Sequence, residues 1–160
     1  MTHQQQLQAA SEQLSRVLEF FSRVETKLSV VLGVDLAMLG FLASKLPADQ
    51  PISTGAWIVA GAFLFLMGGS LWNLYQASAP QLDGGEDSLV YFREIAKRTE
   101  VSYVDEFTKL TEEGLAKGIL GQVWRNSQIL KIKFDHLVLA YRFMAVAIVL
   151  WVVSLILFTR

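Results

Sequence analysis

LSVVLGVDLAMLGFLASKL, residues Leu28–Leu46, is too long and too apolar for a surface helix of a soluble domain. A helix rises about 1.5 Å per residue, so crossing a hydrocarbon core of roughly 30 Å takes about 20 mostly apolar residues. Leu28–Leu46 meets that length, and only Asp35 and Lys45 interrupt it with charge. Two further stretches behave the same way: Ala56–Tyr75 (AWIVAGAFLFLMGGSLWNLY), and Phe143–Phe158 (FMAVAIVLWVVSLILF) extended back through Leu137–Tyr141. The extension requires Arg142 to reach the headgroups with its charged end. A cleavable signal peptide is not expected, because the first apolar run starts late and follows polar, helix-forming sequence. The chain of 160 residues is 52% hydrophobic and 18% charged, against about 25% charged in soluble domains. Together these features predict an all-α integral membrane protein with three transmembrane helices.

Upstream of the first span, Leu7, Ala10, Leu14, Val17, Phe21, Val24, Leu28 and Val31 recur at alternating spacings of three and four. That is a coiled-coil seam. It runs into the span without a proline, so helix one is expected over about residues 4–46, with 4–27 a cytoplasmic helix and 28–46 the first span. The third span repeats the design in reverse. No proline occurs from Leu115 to Phe158, and Leu115, Ile119, Val123, Leu130, Phe134, Leu137 and Tyr141 recur at helical spacing. Thr111 followed by Glu112 and Glu113 reads as an N-terminal cap with acidic first-turn residues. The first and third helices therefore continue as long cytoplasmic helices, each burying the other's stripe. Between the spans at 56–75 and 137–158 lies a cytoplasmic helical region, 76–136. Pro80 ends the second helix, Asp83-Gly84-Gly85 is a turn, and Ser88–Lys97 and Ser102–Leu110 read as short amphipathic helices. Segments that short are not stable alone, so they are expected to pack on the long helices. The whole chain, 1–160, is read as a single unit.

Orientation follows from basic residues. Arg16, Arg23 and Lys27 precede the first span, and nine Lys and Arg residues from Arg93 to Arg142 separate the second and third. Lys45 and Arg160 fall on the other side. The N-terminus and the middle segment are read as cytoplasmic, and the Pro47–Gly55 loop and the C-terminus as outside. Trp57, Trp72 and Tyr75 suit an aromatic belt; Trp151 suits packing within the membrane.

Asp35 is the most informative polar residue, because an ionisable group within a span is costly and usually functional. The seam continues from Val31 to Asp35, Met38 and Leu42, which aims the carboxyl inward. Two readings stay open. One is a polar or ion-conducting path, a ring of carboxylates in a homo-oligomer favouring cations. The other is a helix-packing hydrogen bond, to Asn73 or Ser70. Gly61 and Gly68, seven apart, suggest close helix packing. Glu25 and Lys27 stand where helix one enters the membrane, as headgroup anchors or as a gating contact. Arg93, Arg98, Arg125 and Lys133, interleaved with Phe92 and Tyr103, form either an anionic-ligand pocket whose aromatics stack a base or a solvated charged face. The absence of cysteine and the presence of only two histidines, His3 and His136, leave no metal site or cofactor expected. A net charge of −1 implies no nucleic-acid partner, and no catalytic motif implies an enzyme.

Three segments carry a family resemblance: FFSRVETKLSVVLGVDLAMLG (Phe20–Gly40), LVYFREIA (Leu89–Ala96) followed by VSYVDEF, and the run Gly121–Ala140 with Ile129 and Lys133. In this order they resemble the Pycsar membrane effectors, PycTM, over about residues 18–158. The resemblance implies an antiphage effector in the bacterial inner membrane. It would be activated by a cyclic pyrimidine mononucleotide that a partner cyclase makes, and would act by damaging the membrane so that the infected cell stops growing. Related effectors serve other nucleotide-signalling systems, and no separate cyclic-nucleotide-binding domain is recognisable in this sequence. The partners expected are the lipid bilayer, further copies of the chain and a cyclic nucleotide. The alternative is a membrane scaffold that recruits a partner through its cytoplasmic bundle.

Overall fold

The computed structural model describes residues 1–46, 53–79, 85 and 87–158, all α-helical or irregular. The helices are α1 His3–Ser44, α2 Thr54–Ser78, α3 Phe92–Ile95, α4 Glu100–Thr108 and α5 Glu112–Phe158. Most of the expected Pro47–Gly55 loop, Pro80, and Asp83 and Gly84 of the expected turn lie outside the described residues; α2 ends before them, at Ser78. α1 has 42 residues and α5 has 47, about 63 and 70 Å of helix, roughly twice a hydrocarbon core. α1, α2 and α5 are each long and apolar enough to cross a membrane. The helix starts follow local chemistry. Ser53 Oγ accepts from the Ala56 amide at 3.2 Å, Thr99 Oγ1 from Ser102 at 3.3 Å, and Thr111 Oγ1 from Gly114 at 3.1 Å. Each satisfies an amide that the first turn leaves open.

The chain forms two compact units, the first from Met1–Arg23 and Pro80–Lys131, the second from Val24–Ala79 and Ile132–Arg160. α1 and α5 contribute to both. The second unit gathers the three apolar stretches. On α1 the seam is buried through Val24, Leu28, Val31, Asp35, Met38 and Leu42. Met38 and Leu42 meet Phe63 and Met67 of α2 and Ala147 of α5 in a closed apolar cluster. Trp151 packs on that cluster, and its indole N–H donates to the Met38 carbonyl at 3.0 Å. Val30, Ile58, Phe65 and Val149 point away from it, as lipid-facing side chains do.

Two sequence expectations need correction here. The buried stripe of α5 in this unit is Lys133, Leu137, Ala140, Ala147 and Ser154, while Phe134 and Tyr141 are exposed. Lipid tails are as apolar as leucine, so small residues that let backbones approach take the inner face. The glycines follow the same logic. Gly61 and Gly68 face outward with nothing within 4 Å of a Cβ, whereas a Cβ on Gly69 would lie 2.8 Å from Phe143 Cε1. The close approach is at Gly69.

In the first unit, Ala10 and Val17 of α1 and Ala116, Ile119 and Gln122 of α5 are buried. α3 is a single turn with Phe92 exposed and Leu89 and Ile95 half-buried, so the amphipathic helix expected over Ser88–Lys97 is shortened to Phe92–Ile95. α4 has no buried residue and leaves Val101 exposed. Polar contacts hold this stretch instead. The Arg98 guanidinium pairs with Glu106 at 3.0 Å and donates to the Glu94 and Asp87 carbonyls at 2.9 and 3.1 Å. Asp87 is left-handed, φ 55°, a conformation that Asp tolerates better than most residues.

Candidate functional site

Asp35 is fully buried in the second unit. The Ser70 hydroxyl donates to Asp35 Oδ2 at 2.6 Å and lies 3.3 Å from the Ala140 carbonyl. A hydroxyl has one proton, and the shorter contact takes it. Asp35 Oδ1 has no hydrogen-bond partner among the described residues. Three helices thus converge on one carboxyl group that is half satisfied. Asn73, the other partner expected for Asp35, turns elsewhere: its amide donates to the Gly69 carbonyl at 2.8 Å, and its Oδ1 lies 3.1 Å from His136 Nδ1. The His136–Asn73 contact has no signal in the sequence beyond Asn73 being polar within an apolar stretch, because His136 follows Asp135 in the charged segment before the third such stretch.

Towards one end of the same unit, Lys133 Nζ donates to Glu25 Oε1 at 3.4 Å. The Lys133 side chain is only 10% exposed and Glu25 is 63% exposed, so the pair joins a sheltered cation to an open carboxylate. Lys27 lies 6.0 Å from the centre of the Phe134 ring, within cation–π range. Glu25, Lys27 and Lys133 therefore belong to one neighbourhood.

The remaining candidates lie in the first unit. Arg98 is engaged within it, as described above. It borders a recess with Asp87, Leu89, Glu94, Lys97 and Glu106, where Lys97 pairs with Glu94 and Arg98 with Glu106, so both cations are already matched to carboxylates. Hydrogen bonding from Lys97 holds Glu94 below the usual carboxylate range, and the Ser102 hydroxyl, with Arg98, does the same for Glu106. Phe92 meets Tyr91 edge-on at 4.9 Å, and Tyr103 meets Phe107 at 5.7 Å. Arg125 borders a separate cavity of about 430 Å³, with Trp124, Gln122 and Ser88 and three glycines, Gly85, Gly118 and Gly121. Gln122 donates to Ser88 Oγ at 3.3 Å. Of the residues singled out as ligand contacts, Arg125 is the one on this cavity.

Comparison with curated proteins and with solved structures finds no match. The family model of the Pycsar effector protein domain, PycTM, matches residues 9–158, which takes in all three apolar stretches, Asp35 and both units' helices. The chain belongs to the Pycsar effector family, and is a membrane effector of antiphage defence.

Proposed function

We propose that the chain sits in the bacterial inner membrane with its N-terminus cytoplasmic and its C-terminus outside. On a nucleotide signal or an assembly event it rearranges as a homo-oligomer and permeabilises that membrane. The observation that carries this reading is Asp35: a fully buried carboxyl group, with one oxygen unpartnered among the described residues, at the meeting of α1, α2 and α5. Such a group costs stability where an apolar residue would not. Its value would be realised in another arrangement, in which copies of α1 bring several carboxylates to a shared aqueous path that favours cations. Glu25, Lys27 and Lys133 would form the contact released as the path opens. The cavity beside Trp124 and Arg125 suits the signal: an exposed indole for a base and a guanidinium for a phosphate.

The test is dye release and membrane-potential recording from cells and vesicles carrying the protein, with cyclic pyrimidine mononucleotides added one at a time. Depolarisation with one of them is expected, and Asp35→Asn should alter its rate or cation preference. Unchanged permeation in Asp35→Asn reduces Asp35 to packing; no depolarisation with any nucleotide and no toxicity on overexpression ends the reading. A scaffold role is the second reading, favoured by the exposed Phe92, Val101 and Phe107 of α3 and α4. Retrieval of a stable partner in place of membrane leakage would support it.

A further inference from the structure

The second unit carries a groove of about 510 Å³, within the size range of small-molecule sites. Its apolar wall is Leu28 and Leu32 of α1 with Leu71 and Leu74 of α2, and its polar residues are Glu25, Ser29, Ser78, Tyr75 and Lys133. Register puts Glu25, Ser78 and Lys133 at one end, with Ser29 a turn further in and its hydroxyl donating to the Glu25 carbonyl at 3.0 Å. Asp35, Ser70 and Ala140 meet at one level. Ten residues back along α1 is Glu25, eight forward along α2 is Ser78, and seven back along α5 is Lys133. These are displacements of about 10–15 Å in the same direction. A leucine wall thus leads from the apolar interior to a pair of opposite charges.

Lys133 is incompletely used there. Its ammonium has three donors, yet its contact among the described residues is the single one of 3.4 Å to Glu25, on a side chain 10% exposed. Glu25 keeps an exposed carboxylate beside it. We propose that this groove binds one phospholipid whose headgroup carries a primary ammonium. The phosphate accepts from Lys133, the ammonium donates to Glu25, and an acyl chain lies along the four leucines. Charge complementarity selects this occupant. A headgroup with no cation leaves Glu25 facing a phosphate, and a quaternary ammonium has no N–H to donate.

Native mass spectrometry of the full chain in mild detergent tests this, with phosphatidylethanolamine, phosphatidylcholine or phosphatidylglycerol of identical acyl chains. Phosphatidylethanolamine should be retained about tenfold more strongly than the other two, the equivalent of one charge-assisted hydrogen bond. Glu25→Gln and Lys133→Gln should each remove that preference, and Lys109→Gln, distant in sequence, should keep it. Leu32→Trp, which narrows the groove while leaving both charges, should lower retention of all three lipids. Equal retention of the three by the native chain, a preference for phosphatidylglycerol, a preference that survives both charge substitutions, or protection of the groove only in a dimer with no lipid bound would each overturn the proposal.

Discussion

At the residue scale, the Asp35–Ser70 pair is where the second unit departs from pure packing. Removing one partner of a buried hydrogen bond strands the other, at a cost of about 1–3 kcal/mol, whereas replacing both by apolar groups is close to neutral. Ser70→Ala leaves Asp35 with neither oxygen bonded, and should therefore lower thermal stability in micelles by that amount. The double variant Asp35→Leu/Ser70→Ala should recover most of the loss, giving a coupling that a double-mutant cycle reads directly. Melting of Ser70→Ala at the native temperature would show that the bond contributes nothing. Recovery in the double variant without membrane leakage would separate packing at Asp35 from its proposed part in permeation, since stability would be regained as permeation is lost. The inward aim of Asp35 was legible in the sequence, because the seam counts onto it from Val31. Its choice of Ser70 over Asn73 was not: that depends on the rotation of α2, which no strong periodicity fixes when both its faces are apolar.

At the element scale, α1 announces itself and α5 does not. Ala10, Val17 and Val24 recur among polar and charged neighbours upstream of the first apolar stretch, so their spacing reveals the buried face. On α5 the inner face is Ala140, Ala147 and Ser154 while larger apolar side chains such as Val149 face out, and a hydrophobic stripe points the wrong way. The glycines test this distinction. Gly69→Ala drives a Cβ against the Phe143 ring and should cost about 1–3 kcal/mol. Gly68→Ala, open on every side, should be neutral or stabilise the helix by up to about 1 kcal/mol. Equal melting of the two variants would refute the close approach at Gly69. α3 and α4 bury little and rely on charge, so they should be the acid-sensitive elements. Partners hold Glu94, Glu106 and, through Lys117, Glu113 below the ordinary carboxylate range. A lowered folded-state value contributes stability above the ordinary range that is lost as pH falls through the lowered one. Limited proteolysis should therefore open 87–110 on acidification before the apolar unit changes. Simultaneous cleavage throughout the chain would contradict this.

For the whole molecule, the telling fact is that two helices, and no separate linker among the described residues, run from one unit into the other: α1 past Arg23 and α5 past Lys131. An unbroken helix resists bending because every turn is hydrogen-bonded, and a change imposed on one end is carried as rotation or translation of the whole rod. The proposed signal, received by the first unit, would then reach the second along these two helices. Glycine raises backbone freedom at a cost of about 1 kcal/mol per site relative to alanine, so Arg23→Gly together with Lys131→Gly softens both crossings without removing a core side chain. Arg23 loses a surface pair with Glu19, which is worth little in solvent. The double variant should keep its melting temperature in micelles to within the equivalent of about 2–3 kcal/mol and keep its binding of the nucleotide proposed as the signal. Signal-dependent membrane leakage should fall several-fold. Leakage equal to the native chain's, with binding intact, would mean that the units communicate through the lipid or through neighbouring copies, and the continuity of α1 and α5 would then serve assembly alone.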